Sequence, residues 1–153
     1  MIYSEMLGNK HFLARNYENA ALNFQATLNS DPVNKSARKK IIICYTQIGK
    51  IREAFENFYL LVKEDIEFII DTDMIADDCP CAELTEKYGN VFPYQKESSD
   101  LKLMLAMLWL YCSVNQSLNF FKQILVEDPE NLRVQEIISL IEIKLNSNNP
   151  LTH

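Results

Sequence analysis

Apolar residues recur at intervals of three and four along most of this 153-residue chain, which is the spacing of one face of an α-helix. The clearest stretch runs from Tyr17 to Ser30, and two others cover residues 51–62 and 132–145. Their inward-facing positions are Ala20, Ala21, Phe24 and Leu28, then Ala54, Phe58 and Leu61, then Val134, Ile137, Ile138, Ile141 and Leu145. Glycine is scarce, at three residues, which disfavours a fold rich in β-hairpins. The pattern therefore predicts an all-α fold.

Residues that start and stop helices divide the apolar stretches. Asp31-Pro32 and Asp128-Pro129 should each end a helix, because proline lacks the backbone N–H and restricts the residue before it. Gly49 suits a helix C-terminus, and Ser98-Ser99-Asp100 offers an N-cap before Leu101. Residues 101–111 are apolar nearly all round, so this helix should be largely buried.

Several of these positions recur with a fixed spacing. Leu7-Gly8, Ala20, Phe24 and Asp31-Pro32 return 34 residues later as Ile41-Ile42, Ala54, Phe58 and Asp65-Ile66. A third copy consists of Met104-Leu105, Ser117, Phe121 and Asp128-Pro129. Small residues at the alanine position would let two helices cross closely, Gly8 would allow the facing helix to approach, and the phenylalanine would fill the space beside them.

This order of residues resembles the tetratricopeptide repeat, a helix-turn-helix unit of about 34 residues. The resemblance implies a right-handed α-solenoid in a single domain, 1–146. Its parts would be repeats at about 3–34, 35–68 and 98–131, a capping helix at 132–146 and a flexible tail at 147–153. The first copy is the most specific, although Ser4 and His11 stand where the family usually has aromatic residues.

The second copy departs from the pattern and is followed by extra residues. Ile66 replaces the expected proline, so Glu64 to Ile70 can continue the helix by one or two turns. The third copy lies 97 residues after the first, where two periods would give 68, so about 29 residues at 69–97 intervene. This segment is either a degenerate repeat or an ordered insertion, and the lack of an A-x3-F echo favours an insertion. Within it, residues 82–88 suit a short helix, and Gly89-Asn90 reads as a loop.

In the tetratricopeptide family, the first helix of each repeat lines a concave groove that holds a partner segment. The positions carried over by helix face are Asn9, Phe12, Leu13, Lys39, Ile43, Gln47, Lys102 and Trp109. Some members clamp a terminal carboxylate; Asn9 and Lys40 match that arrangement, but Glu5 stands where a lysine is expected. An extended peptide with apolar anchors is therefore the favoured ligand. In the competing interpretation, Phe12, Ile43 and Trp109 are simply packed side chains.

Composition narrows the classes of partner. The net charge of −6 and a single short basic cluster at residues 38–40 disfavour nucleic acid, because phosphate binding needs clustered Lys and Arg. The longest apolar stretch, residues 103–114, is too short to span a bilayer and no signal peptide is evident, so we expect a cytoplasmic protein without membrane insertion. Self-association through exposed helices stays possible.

The oddest local feature is Cys79-Pro80-Cys81, in the segment between the second and third copies. Two thiolates are weak candidates for a metal site, since structural zinc usually takes four ligands, and a redox pair usually has two intervening residues. A tight structural turn is the favoured interpretation, with no cofactor. Cys44 and Cys112, the other cysteines, are both expected in apolar helices. His11 and His153 have no nucleophile arranged near them, and no glycine-rich phosphate loop exists, so we expect no catalysis.

We therefore expect a non-catalytic protein–protein interaction module, an adaptor or assembly scaffold that binds a segment of another protein. Two alternatives stay open. The chain is also compatible with a small secretion-type chaperone of the same repeat class. Otherwise it is a metal- or redox-responsive module that uses Cys79 and Cys81.

Overall fold

The computed structural model describes residues 3–147, and this range contains helices, turns and no β-strand. The predicted all-α fold is therefore confirmed. The helices are α1 (Glu5–Leu13), α2 (Tyr17–Ser30), α3 (Lys35–Gln47), α4 (Ile51–Ile70), α5 (Cys81–Val91), α6 (Ser99–Leu110), α7 (Val114–Glu127) and α8 (Leu132–Ser147). A 3-10 turn, Phe92–Tyr94, follows α5. The predicted flexible tail lies outside the described residues except for Ser147, which ends α8.

The described residues divide into two compact units, one ending at Leu61 and the other beginning at Val62. The boundary falls within α4. In the first unit, α1 packs on α2 and α2 packs on α3. In the second unit, α5 packs on α6, α6 on α7, and α7 on α8. In each of these pairs the two helices follow one another along the chain, as short connections favour.

The recurring alanine and phenylalanine positions belong to the cores of the two units. Ala20, Phe24, Ala54 and Phe58 are fully buried, and Phe121 is equally buried in the second unit. Gly8 brings α1 against the ring of Phe24, since a Cβ added to Gly8 would lie 2.7 Å from Phe24 Cε1. The predicted close approach at Gly8 is therefore confirmed.

Serine takes the place of alanine in the third copy without leaving a polar group unsatisfied. Ser117 is fully buried, and its hydroxyl donates to the carbonyl oxygen of Ala106 at 2.6 Å. This bond ties α7 to α6 and satisfies the hydroxyl that burial would otherwise penalise.

The helix termini follow the predicted signals closely. The Ser98 hydroxyl accepts from the Leu101 N–H at 3.1 Å, so α6 begins at Ser99, two residues earlier than expected. Gly49 has φ +80°, the left-handed conformation that ends α3. Helix α6 is buried nearly all round, as its composition predicts.

Two expectations, one about the end of α4 and one about the residues that follow it, need correction. Helix α4 does continue to Ile70, but Asp65 has φ −162° and ψ 81°, so the helix is broken there despite Ile66. Gly89 and Asn90 are not a loop, because α5 runs through them to Val91. A glycine and an asparagine in the last turns weaken a helix without ending it.

Candidate functional site

Three of the predicted groove residues in the first unit are buried. Phe12 is 1% exposed and packs edge-on against Tyr17 and Phe24, with ring centroids 6.3 and 6.2 Å away. Ile43 is also 1% exposed, and Lys39 is 7% exposed. These side chains cannot contact a partner in this conformation. For Phe12 and Ile43 the competing interpretation, packed side chains, is the one that fits.

The other first-unit candidates reach the surface. Leu13 is 59% exposed at the end of α1, and Asn9 and Gln47 are half-buried. The Lys40 ammonium donates to Asn9 Oδ1 at 2.8 Å and lies 5.9 Å from the centre of the Phe12 ring. Asn9 and Leu13 are four residues apart, so they lie on the same face of α1. We call Asn9, Leu13, Lys40 and Gln47 the first-helix surface.

Glu5, the residue that argues against a carboxylate clamp, has a hydrogen-bonding partner of its own. Asn34 donates from its side-chain amide to Glu5 Oε1 at 3.0 Å. The Asn34 side-chain oxygen also accepts from the Ala37 N–H at 2.9 Å, which caps α3. Glu5 therefore belongs to the junction of α1 with α3.

The two second-unit candidates differ in accessibility. Lys102 is 4% exposed, and its ammonium is paired with the Glu127 carboxylate on α7. Its role in the structure is thus an ion pair between α6 and α7, so it is not free to bind a partner. Trp109 is half-buried in the last turn of α6, and its role in binding stays a prediction.

The first unit also contains a surface pocket of about 310 Å³ that the sequence did not reveal. Its lining residues come from α2, α3 and the turn after α3: Glu18, Ala21, Leu22, Gln25, Tyr45, Ile48 and Lys50. The Tyr45 hydroxyl donates to Gln25 Oε1 at 2.6 Å, and Lys50 lies 5.9 Å from the centre of the Tyr45 ring. Burial, with Glu53 nearby, raises the pKa of Tyr45, so the phenol stays protonated and donates.

Three cysteines lie near one another in the second unit. The sequence pointed to Cys79 and Cys81 as a pair but not to Cys112. Cys79 and Cys81 flank Pro80 where α5 begins, and Cys112 lies in the turn between α6 and α7. The three side chains lie near enough to one another for a charge on Cys81 to raise the pKa values of Cys79 and Cys112. Cys112 was expected in an apolar helix, but α6 ends at Leu110 and Cys112 lies in the turn before α7.

The environment of Cys81 favours its ionised form. Hydrogen bonds from Cys112, from Cys79 and from the backbone N–H groups of Ala82 and Cys81 lower the pKa of this thiol to about 4, against the opposing effect of burial. Cys81 is the first residue of α5, where backbone N–H groups lack helical partners and favour a negative charge. The same contacts raise the pKa values of Cys79 and Cys112, which hold their protons as donors.

Other chemistry is not evident in residues 3–147. No group of three or more His, Cys, Asp or Glu side chains within that range has an arrangement that could hold a metal ion. Cys44, in the first unit, is fully buried, and desolvation raises its pKa well above the usual range.

Among the described helices, none combines the length and the apolar composition needed to cross a lipid bilayer.

Comparison of the chain with protein-family models, with curated proteins and with solved structures gave no match.

Proposed function

We propose that this chain is a non-catalytic protein-interaction module of the tetratricopeptide type, a right-handed helical solenoid that binds a segment of another protein. The observation that supports it best is the exposed Leu13 beside the Asn9–Lys40 pair. The recurring residues Ala20, Phe24, Ala54 and Phe58 are fully buried in the adjoining helices. The core thus holds the first-helix surface in place and leaves its outer side chains available.

The first-helix surface has the composition of a peptide-binding site. Leu13 supplies exposed apolar area, whose burial contributes roughly 25 cal/mol per Å². Asn9 and Gln47 supply amide groups that can bond the backbone of an extended segment, and Lys40 adds a positive charge. A segment with one apolar anchor and an acidic group nearby fits this arrangement, because the anchor gives affinity and the polar groups set its direction.

The test is affinity capture with the full chain, followed by quantitative mass spectrometry of the proteins recovered. Leu13→Ala is compared with Leu60→Ala, a matched control on α4 that is 52% exposed. We expect the Leu13 variant to lower recovery of a specific partner by about fivefold or more, the loss typical of an anchor residue. Equal recovery with the two variants would contradict binding at this surface.

A further inference from the structure

The pocket between α2 and α3 is a second concave site in the first unit, and none of its lining residues belongs to the first-helix surface. Its volume of about 310 Å³ equals that of roughly ten water molecules at about 30 Å³ each. A ligand of about ten non-hydrogen atoms therefore fits. Helix α2 provides one wall through Glu18, Ala21, Leu22 and Gln25, whose spacing of three and four residues places them on one face.

The turn after α3 sets the position of Lys50 at the opposite wall. Gly49 has φ +80°, and the Lys50 N–H donates to the carbonyl oxygen of Tyr45 at 2.9 Å. This is the hydrogen bond that closes a helix around a left-handed glycine, and it folds the chain back toward the last turn of α3. The Lys50 ammonium accordingly lies 5.9 Å from the centre of the Tyr45 ring. The backbone thus holds a positive charge at the pocket.

The polar groups around the pocket divide into those already bonded and those that are not. The Tyr45 hydroxyl donates to Gln25 Oε1 at 2.6 Å, and the Gln25 amide donates to Asn29 Oδ1 at 2.8 Å, so both ends of Gln25 are engaged. In contrast, the Glu18 carboxylate and the Lys50 ammonium have no ion pair and no side-chain hydrogen bond within residues 3–147. A ligand would therefore meet one anion and one cation that are both available.

The rest of the lining is apolar and only partly covered. Ala21 is 4% exposed and Leu22 is 50% exposed on α2, and Ile48 is half-buried at the end of α3. An apolar group seated there would remove the surface of Leu22 from water. A ligand with only an anionic group would meet Glu18 as a like charge, and one with only a cationic group would meet Lys50. A small zwitterion with an apolar side chain satisfies all three parts of the lining.

We propose that this pocket binds a free amino acid with an apolar side chain. The carboxylate of the ligand pairs with Lys50, its ammonium pairs with Glu18, and its side chain lies on Ala21, Leu22 and Ile48. Pockets near this volume with an apolar lining and a few placed polar groups are typical of small-molecule sites. Binding here is independent of partner binding at the first-helix surface, because the two sites share no residue.

The experiment titrates the full-length, nitrogen-15-labelled protein with L-phenylalanine and follows the backbone amide signals by NMR. We expect saturable shifts confined to residues 18–25 and 45–50, with a dissociation constant on the order of 1 mM, as suits a ligand of about this size. Three analogues each lack one part. Phenethylamine, without the carboxylate, and 3-phenylpropionate, without the ammonium, should bind about twofold to fivefold more weakly, the range for a partly exposed ion pair. Glycine, without the apolar side chain, should leave these signals unshifted.

Two variants assign each charge of the ligand to its partner. Lys50→Gln should weaken L-phenylalanine by about twofold to fivefold without weakening phenethylamine, which has no carboxylate to lose. Glu18→Gln should weaken L-phenylalanine without weakening 3-phenylpropionate. Both side chains are exposed, so the variants should keep the amide spectrum of the folded protein. Lys10→Gln, an exposed lysine on α1, is the matched control and should change no affinity.

Three results would overturn the proposal. One is the absence of saturable shifts at residues 18–25 and 45–50 with L-phenylalanine up to about 10 mM, well above the affinity expected for its size. Another is equal weakening of L-phenylalanine and phenethylamine in Lys50→Gln. The third is binding of N-acetyl-L-phenylalanine amide as tight as that of L-phenylalanine. This uncharged analogue resembles a residue inside a partner chain, so the pocket would then take a side chain of another protein.

Discussion

At the scale of single residues, packing at Gly8 should be the least tolerant of change. A Cβ there would lie 2.7 and 2.8 Å from two carbons of the Phe24 ring, which is itself fully buried. We expect Gly8→Ala to lower the free energy of unfolding by about 1–3 kcal/mol, the usual cost of overpacking. Urea-induced unfolding followed by circular dichroism measures this.

Gly89 provides the matched control for that substitution. It lies inside α5 with no atom within 4 Å of an added Cβ, so alanine gains helix propensity without a clash. Gly89→Ala should therefore raise the free energy of unfolding by about 0.5–1 kcal/mol. A Gly8 variant as stable as the wild type would mean that α1 does not pack on Phe24 as described.

The ionisation of Cys81 can be observed directly. Its lowered pKa, about 4 against an ordinary value of 9.0, means that the folded state favours the thiolate. The stabilisation it provides is present above pH 9 and is lost as the pH falls through the folded-state value. We expect the ultraviolet absorbance of one thiolate at pH 7, unchanged down to pH 5 and absent in Cys81→Ser. Cys44→Ser should keep it, and a thiolate signal that appears only near pH 9 would contradict the cluster.

At the scale of helices, three aspartates define equivalent turns. Asp31, Asp65 and Asp128 have φ of −141°, −162° and −135° and ψ of 78°, 81° and 71°. The first and last precede prolines, and the middle one precedes Ile66. The sequence alone suggested that the helix would run on unbroken there. The break shows that the turn conformation does not depend on the proline.

This equivalence predicts that a proline is tolerated at position 66. Asp65 already has the conformation that its counterparts adopt before proline, so Ile66→Pro should change the free energy of unfolding by less than about 1.5 kcal/mol. The control Leu60→Pro, at an exposed position inside α4, should cost about 3 kcal/mol or more. Thermal unfolding of the two variants compares them, and a loss at Ile66 as large as at Leu60 would show that α4 is continuous.

At the scale of the whole molecule, the periodic apolar pattern and the capping residues predicted the helices because both act locally. The candidate site was harder to predict. Phe12 and Lys102 were chosen by helix face, but which part of that face meets a neighbouring helix depends on tertiary packing. Cys112 could not be placed beside Cys81 for the same reason, since 31 residues and the path of α6 separate them.

Site-specific photo-cross-linking tests most directly whether partners bind the first-helix surface. A photoreactive residue is placed at 9, 13 or 47, and in controls at Leu60 or Val126, which are exposed on α4 and α7. We expect one partner to be cross-linked from positions 9, 13 and 47 and from neither control. Cross-links from the control positions alone, or equally from all five, would contradict it.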